Sequence, residues 1–319
     1  MTATVAKASG KTILFGEHAV VYGQPAIAVP LDAIYAKAVI EMLPGRFQNN
    51  DAIIVLPNLN ITRNFSDFDN NDPIRTAIAG TLDYLGIERL PMMRITITSS
   101  IPIAAGLGSS AAIAVATIKA VSQSLGFKLE AKEVNNLAFQ VEIIQHGKPS
   151  GVDNTTITYN QPLYYIKDKE MEFLEIVNPI PLIIADTGMG SSTKEAVEEV
   201  RKRYEKEPEV LTRIFNQIGE ISRKAKCEVE KGHLQMIGSL MSQNHRLLVN
   251  LGVSCNALDT LVETALSCGA YGAKLCGAGK GGNIIVLASE EHIEKIITAL
   301  RANGAVNAFL STIQGTSKF

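Results

Sequence analysis

The pattern of apolar and polar residues predicts strands along the first third of the chain. Several runs are rich in β-branched residues and are bounded by Gly, Pro, Asn or Asp, which is the pattern of short strands. These runs are TILF (12–15), AIAVPL (26–31), IYAKAVIEML (34–43) and AIIVL (52–56). MRITITSSI (93–101) alternates apolar and polar side chains, as a half-buried strand does.

Helical periodicity becomes prominent from residue 72 onward. DPIRTAIAGTLDYLG (72–86) opens with Asp-Pro and ends at glycine, which are helix start and stop signals. Further helices are predicted at 109–126, 130–147 and 290–304, and over almost all of 191–268, where Gly219, Gly232 and Gly252 are possible breaks or caps.

Strands return in the second half of the chain, at IPLIIAD (180–186), AYGAKLC (270–276), NIIVLAS (283–289) and AVNAFLSTI (305–313). The composition shifts near residues 170–180 from mixed strand and helix to mainly helix. We therefore predict two domains, 1–175 and 176–319, each long enough to form a core.

Composition narrows the classes of function. The formal net charge is -2 and the pI is about 6.2, without the basic surplus of a nucleic-acid-binding protein. The four cysteines form no C-x-x-C pair, so a zinc site is not expected. A secretory signal and an apolar run of about 18 residues are both lacking, so we expect a cytoplasmic protein that does not span a membrane.

The stretch PIAAGLGSSAA (102–112) has the composition of a phosphate-binding loop but contains no lysine. Gly10-Lys11-Thr12 has the ending of a Walker loop, but Val5 stands where that motif requires its first glycine, so we reject a Walker loop there. A dinucleotide fingerprint fits Gly106-x-Gly108-x-x-Ala111 formally, yet no second strand ending in the ribose-binding acid follows about twenty residues later, where the chain reads SQSLGFKLE (122–130).

The preferred interpretation is a helix N-terminus that binds polyphosphate through its backbone. The first N–H groups of a helix are unpaired and carry a partial positive charge. Gly106 and Gly108 allow a close approach of the anion, Ser109 and Ser110 offer hydroxyl groups, and small alanines follow. A glycine-serine helix cap without any ligand remains the alternative for this loop taken alone.

Three motifs in order resemble the GHMP kinases. The loop fits P-x-x-x-G-L-x-S-S-A, KTILFGEHAVVYG (11–23) resembles the N-terminal motif, and KLCGAGKGGNIIVL (274–287) resembles the C-terminal one. The resemblance implies an α+β fold of two lobes, the N-terminal one like ribosomal protein S5 domain 2 and the C-terminal one ferredoxin-like, with ATP and Mg²⁺ bound in the cleft between them. The implied nucleotide-binding residues are Pro102, Ile103, Ala104, Ala105, Gly106, Leu107, Gly108, Ser109, Ser110, Ala111 and Ala112.

Within the family, GEHAVVYG and EIIQHGKPSGVDN (142–154) are most similar to the mevalonate kinase branch. The implied reaction is ATP-dependent phosphorylation of the C5 hydroxyl of (R)-mevalonate. Ser110 and Glu142 would hold Mg²⁺, a hard cation that prefers oxygen ligands. Asp153 would accept the hydroxyl proton or position the hydroxyl. Lys11, close to it, would stabilise charge in the transition state.

The resemblance also implies substrate contacts at Glu17, His18 and Thr193, with Glu17 ordering the site, for instance by pairing with Lys11. Many relatives form homodimers, so a homodimer is expected.

The C-terminal glycine motif departs from the family pattern. Lys280 replaces a glycine, Cys276 stands where threonine is common, and Asn283 stands where cysteine is common. A side chain at position 280 would be costly if the backbone there were left-handed, and we expect it to point to solvent rather than to the phosphates.

Three alternatives remain open: a GHMP kinase for a sugar, for phosphomevalonate or for another small alcohol; a non-catalytic regulator that kept the fold; and a NAD-dependent dehydrogenase.

Overall fold

The computed structural model describes residues 3–43, 52–102, 105–147, 149–190 and 193–314. The chain forms two compact units, both discontinuous in sequence. Unit one contains 1–10, 34–102 and 108–160, and unit two contains 11–33, 103–107 and 161–319. The single boundary expected at residues 175/176 stays a prediction.

The described residues form eleven strands and nine α-helices. The strands are β1 (Thr4–Phe15), β2 (Ala26–Met42), β3 (Ile53–Leu56), β4 (Ile61–Asn64), β5 (Met93–Ser99), β6 (Leu163–Tyr165), β7 (Glu172–Phe173), β8 (Ile180–Asp186), β9 (Gly272–Cys276), β10 (Asn283–Leu287) and β11 (Asn307–Ile313). The helices are α1 (Pro73–Leu85), α2 (Ser109–Ser124), α3 (Ala131–His146), α4 (Val152–Tyr159), α5 (Thr193–Lys206), α6 (Pro208–Lys231), α7 (Leu234–Leu251), α8 (Asn256–Ser267) and α9 (Glu290–Ala302).

Strand β2 is one long strand, although two separate strands were predicted at 26–31 and 34–43. Its first residues pair antiparallel with β6 in unit two, and Ala36–Met42 pair antiparallel with β5 in unit one. In unit one, β5 also pairs in parallel with β3, which pairs antiparallel with β4. Because β2 has a pairing partner both before and after the Pro-Leu-Asp stretch at 30–32, this stretch does not end the strand.

Helices α1 to α4 pack on one another in unit one. Helix α2 is rich in alanine and buried along most of its length, so its neighbours approach closely. The side chains at its centre that are fully excluded from solvent are Val115, Ala116, Ile118, Ala120 and Val121.

Unit two contains a four-stranded antiparallel sheet in the order β11-β8-β10-β9. Helix α9 packs on β8 and β11, and helix α8 packs on β9 and β10. Strand order and connections match the ferredoxin-like β-α-β-β-α-β arrangement, and the α+β class predicted from sequence is confirmed.

Helix α7 packs directly against β9, and two glycines make this possible. A Cβ atom on Gly272 would lie 1.8 Å from the carbonyl oxygen of Gly238, so neither backbone could come this close with a side chain present. The close packing places Asn244 and His245 of α7 beside β9.

The glycines predicted as helix breaks behave differently from one another. Gly232 and Gly252 end α6 and α7 in the left-handed conformation, as predicted. Gly219 lies inside α6, so the prediction of a possible break was wrong there. A Cβ atom on Gly219 would lie 2.0 Å from Oε1 of Gln24, so this glycine serves close packing instead.

Candidate active site

In unit one, the start of α2 carries the predicted metal ligand Ser110. Gly108 precedes the helix with φ 75°, a left-handed conformation that glycine adopts without strain. The Ser110 hydroxyl donates to Oε1 of Glu142 on α3 at 2.7 Å. Glu142 is only 3% exposed, so a buried carboxylate and a hydroxyl meet at the first turn of the helix.

This pair suits a hard divalent cation. Both donors are oxygen atoms, and Mg²⁺ is commonly bound by one or two protein oxygens together with phosphates and water. Among the described residues, no group of three or more His, Cys, Asp or Glu side chains is placed to hold a metal by itself. The chemistry of the donor set therefore fits a metal that arrives with a polyphosphate.

Asp153 lies in the first turn of α4, directly after Gly151, whose φ is 81°. No helix was predicted from the sequence over residues 152–159, although the structure forms one there. Threonines and other β-branched residues disfavour a helix, but almost all of this helix is buried against α2 and α3, and packing outweighs propensity. Nδ2 of Asn154 donates to Oδ1 of Asn135 at 2.7 Å, which fixes the residue next to Asp153 to the helix that carries Glu142.

In unit two, Lys11 is buried on β1 and is 5% exposed. Its main-chain N–H donates to the carbonyl oxygen of Leu107 at 3.0 Å. We call the residues 102–108 that precede α2 the glycine loop. The strand that carries the predicted catalytic lysine therefore also holds the glycine loop near its end at α2.

The turn after β1 places Glu17 and His18. Gly16 begins it with φ 96°, and a Cβ atom there would lie 2.4 Å from the carbonyl oxygen of Pro25. Tyr22 ends the following short helix and stacks on Phe215 of α6, with ring centroids 4.1 Å apart. The turn is thus anchored at both ends by contacts that depend on specific residues.

Glu17 is the centre of a buried polar cluster. Its Oε1 accepts from the Lys274 ammonium, and its Oε2 accepts from Nδ2 of Asn244 at 3.2 Å. The Lys274 ammonium also donates to the carbonyl oxygen of Leu275 at 2.7 Å, and its side chain is fully buried. The order that Glu17 brings to the site comes from Lys274 and Asn244 rather than from the pairing with Lys11 offered as an example above, and its contact with substrate stays a prediction.

The geometry around His18 fixes its tautomer. Nε2 lies 2.9 Å from the carbonyl oxygen of Ala278, which can only accept, so Nε2 carries a proton. Burial lowers the pKa of the His18 imidazole, and the hydrogen bond to Ala278 opposes that effect only in part. The ring is therefore neutral at pH 7, and Nδ1 is an acceptor.

The remaining predicted residues are distributed over both units. Pro102 and residues 108–112 belong to unit one and residues 105–107 to unit two, while Ile103 and Ala104 lie outside the described residues. Thr193 is the exposed first residue of α5 in unit two.

Sequence reasoning missed Lys274, Asn244 and Asn135. Lys274 left a signal, since a lysine within an apolar strand that leads into a glycine motif is rarely buried without a partner. The two asparagines left none, because their roles depend on which helices pack together.

Of the residues that depart from the family pattern in the C-terminal glycine motif, Lys280 is exposed to solvent, as expected, and Cys276 is buried. Lys280 has φ 57°, a left-handed conformation that is costly for a residue with a Cβ atom, and its ammonium pairs with Glu199 of α5. Burial raises the pKa of the Cys276 thiol to about 11, so that thiol stays protonated at neutral pH.

None of the helices in the described part of the chain combines the length and the apolar character that a bilayer crossing requires.

Two family models match the chain: GHMP kinases N terminal domain over residues 74–161 and GHMP kinases C terminal over residues 226–306. The fold and these two matches together define an ATP-dependent small-molecule kinase of the GHMP class. The mevalonate kinase of Thermococcus sibiricus is 39% identical over 320 residues, which cover 95% of this chain and 94% of the relative. The chain belongs to the mevalonate kinase family.

Solved structures agree with this assignment. The Methanococcus jannaschii mevalonate kinase matches with a TM-score of 0.85 and 32% identity, covering 99% of each chain. The L. major mevalonate kinase in complex with R-mevalonate matches with a TM-score of 0.85 and 29% identity, covering 100% of this chain and 97% of that one.

Proposed function

We propose that this protein transfers the γ-phosphoryl group of ATP to the C5 hydroxyl of (R)-mevalonate, giving 5-phosphomevalonate and ADP. The observation that carries the proposal is the hydrogen bond between Ser110 and the buried Glu142 at the glycine-led start of α2, in a chain of the mevalonate kinase family. The role of each residue below belongs to the proposal.

The start of α2 binds the polyphosphate. Its N–H groups and partial positive charge favour an anion, and the small Ala111 and Ala112 are fully buried in its first turn. Ser110 and Glu142 hold Mg²⁺, which neutralises phosphate charge when it is bound with ATP. Because a phosphoryl-transfer transition state is stabilised mostly by charge and position, backbone donors suffice here without a loop lysine.

Asp153 and Lys11 act on the hydroxyl that attacks. Asp153 accepts a hydrogen bond from the C5 hydroxyl and takes or orients its proton. Lys11 supplies positive charge where negative charge develops on the oxygen. A buried ammonium is effective in this role because it is poorly screened by water.

His18 contacts mevalonate as an acceptor. With the proton on Nε2 committed to the Ala278 carbonyl, Nδ1 is suited to a substrate hydroxyl rather than to the substrate carboxylate. Glu17 acts through the turn that it anchors, by way of Lys274 and Asn244. Thr193 contacts substrate or phosphate from the start of α5.

The assembly is proposed to be a homodimer in the cytoplasm. All four cysteines are free thiols, in keeping with a reducing compartment. Light scattering tests the dimer: it should give twice the 34.3 kDa of one chain, and a particle of single-chain mass contradicts it.

A steady-state assay of ADP release tests the proposed reaction. Mevalonate, phosphomevalonate and galactose are compared with ATP and magnesium, and turnover is expected with mevalonate. Activity with either of the other two and none with mevalonate refutes the assignment.

Two glutamates of α3 provide a matched test of the metal site. Glu142→Gln should lower kcat by about a hundredfold or more, whereas Glu133→Gln in the capping box at the start of the same helix, where an amide oxygen can still accept from the Glu130 N–H, should leave it within about twofold. Equal effects of the two substitutions contradict a metal-binding role for Glu142.

A further inference from the structure

Asn283 is the first residue of β10, directly after the glycine-rich turn 277–282. It pairs with Cys276 on β9 and with Asp186 on β8, so its backbone is held from both sides. Its side chain is fully buried, and Nδ2 donates to the carbonyl oxygen of Ala105 in the glycine loop at 2.9 Å. Both residues belong to unit two.

This hydrogen bond fixes the direction of a loop N–H group. The peptide bond between Ala105 and Gly106 is trans and planar, so its C=O and N–H groups point in opposite directions. With the carbonyl of Ala105 held by Asn283, the N–H of Gly106 is turned away from the carboxamide. The main chain of Lys11 holds the carbonyl of Leu107 and orients the N–H of Gly108 in the same manner.

The loop needs such restraints because it contains glycines. Gly106 and Gly108 have φ values of 73° and 75°, and glycine reaches many other backbone conformations at little cost. The Ala105–Gly106 peptide plane adjoins one of these glycines, so little backbone strain opposes its turning over when no hydrogen bond holds it. A turned plane at 105–106 would direct a carbonyl oxygen, instead of an N–H group, to the side that faces away from Asn283.

Stability does not account for an asparagine at this position. Oδ1 of Asn283 is buried and has no hydrogen-bond partner among the described residues. A buried acceptor without a partner destabilises a fold, and an apolar or thiol side chain of similar size would avoid that cost. Of the two polar atoms of the carboxamide, the donor Nδ2 is the one with a partner, the Ala105 carbonyl oxygen of the glycine loop.

We propose that Asn283 is a positioning residue for nucleotide binding, which acts by orienting the Ala105–Gly106 peptide plane of the glycine loop. The inference rests on the proposed function, in which this loop binds the polyphosphate. It explains why this chain carries asparagine where the family pattern described above has cysteine, since a thiol is a much weaker donor.

Asn283→Leu, which keeps the volume and removes the donor, is compared with Asn283→Cys. Titration calorimetry with ADP and magnesium, without mevalonate, should show affinity reduced at least about tenfold in the leucine variant and less in the cysteine variant. KM for ATP should rise in the same order, while KM for mevalonate stays within about twofold.

Ser311→Ala provides the control, because Ser311 is buried in the same sheet and its hydroxyl also has no partner among the described residues. It should change neither KM nor ADP affinity. ADP affinity within about twofold of wild type in Asn283→Leu overturns the proposal, and so does failure of both Asn283 variants to fold, since that assigns the carboxamide to stability.

The two proposals fail in different ways. If wild-type protein binds ADP with magnesium but does not phosphorylate mevalonate, the substrate assignment is wrong and the ADP titrations still decide the role of Asn283. If wild-type protein is an active mevalonate kinase and Asn283→Leu binds ADP normally, only the inference about Asn283 is wrong.

Discussion

The ion pair between Lys274 and Glu17 supports the sharpest prediction about stability. The side chains are 0% and 1% exposed, and the carboxylate also accepts from Asn244. Lys274→Met keeps the length and the apolar stem of the side chain but removes the charge. Glu17 is then left as a buried carboxylate with one neutral donor.

The magnitude follows from this environment. Two unit charges about 4 Å apart attract by about 4 kcal/mol at an effective dielectric constant of about 20. Desolvation of both groups offsets much of that attraction in the intact pair, but removal of one partner leaves the penalty of the other without compensation. We therefore expect Lys274→Met to lower the free energy of unfolding by about 3–5 kcal/mol.

Urea titration followed by circular dichroism measures the effect. The double variant Lys274→Met/Glu17→Gln should recover at least about 2 kcal/mol, because no buried charge remains in the pair. The Lys280–Glu199 pair serves as the exposed control, with side chains 41% and 56% accessible. Glu199→Gln should cause a change too small to resolve, since solvent screens such pairs.

Two results would refute the reasoning. A loss below about 1 kcal/mol in Lys274→Met would mean that water reaches Glu17 in solution. A double variant whose loss equals the sum of the two single losses would mean that the charges do not interact.

Three further predictions concern backbone geometry and pH. Gly272→Ala should lower the free energy of unfolding by about 3 kcal/mol or more, because the new methyl group meets the Gly238 carbonyl. Gly190 has open space around it, so Gly190→Ala should be close to neutral. Equal losses of the two variants in urea titration would contradict this. Lys280→Gly should be more stable than Lys280→Ala by about 1 kcal/mol in the same assay, since only glycine relieves the left-handed φ, and equal stability would show that the strain is absent. Burial lowers the pKa of His245 in the folded protein, so below about pH 6.5 the unfolded state binds more protons than the folded state. The free energy of unfolding should therefore rise with pH up to about pH 6.5. His245→Gln should reduce this slope in unfolding titrations from about pH 5 to about pH 7.5, and an unchanged slope would assign it to other groups.

Much of the architecture could be predicted from the sequence because its signals are local. Period-two alternation at 93–101 and the Asp-Pro start at 72 correspond to β5 and α1, and Asp72 caps α1 through the N–H groups of Ile74 and Arg75. The order of the strands could not be predicted, because pairing depends on partners distant in sequence. Helix α4 was missed for the same reason, since burial rather than propensity determines it.

The candidate site could be predicted only in its most characteristic residues. The glycine loop and the segment at 142–154 belong to recognisable patterns, and the structure brings Ser110 and Glu142 together, while their role as metal ligands stays a prediction. The residues that support them are ordinary polar side chains such as Asn135, Asn244 and Asn283. Their significance appears only when the fold shows which carbonyl or carboxylate each one meets.

Hydrogen bonds join three segments of unit two, and the pattern of these bonds has a mechanistic consequence. His18 contacts Ala278 in the glycine-rich turn, the residue after that turn is Asn283, and Asn283 holds Ala105 in the glycine loop. The far end of that loop is held by the main chain of Lys11. The proposed mevalonate contact His18 is bonded to this turn, and Asn283, which holds the proposed phosphate-binding backbone, directly follows it, so we expect a displacement of the turn to alter both. The turn therefore sets the geometry of both proposed substrates, although in the proposal none of its residues reacts with either one.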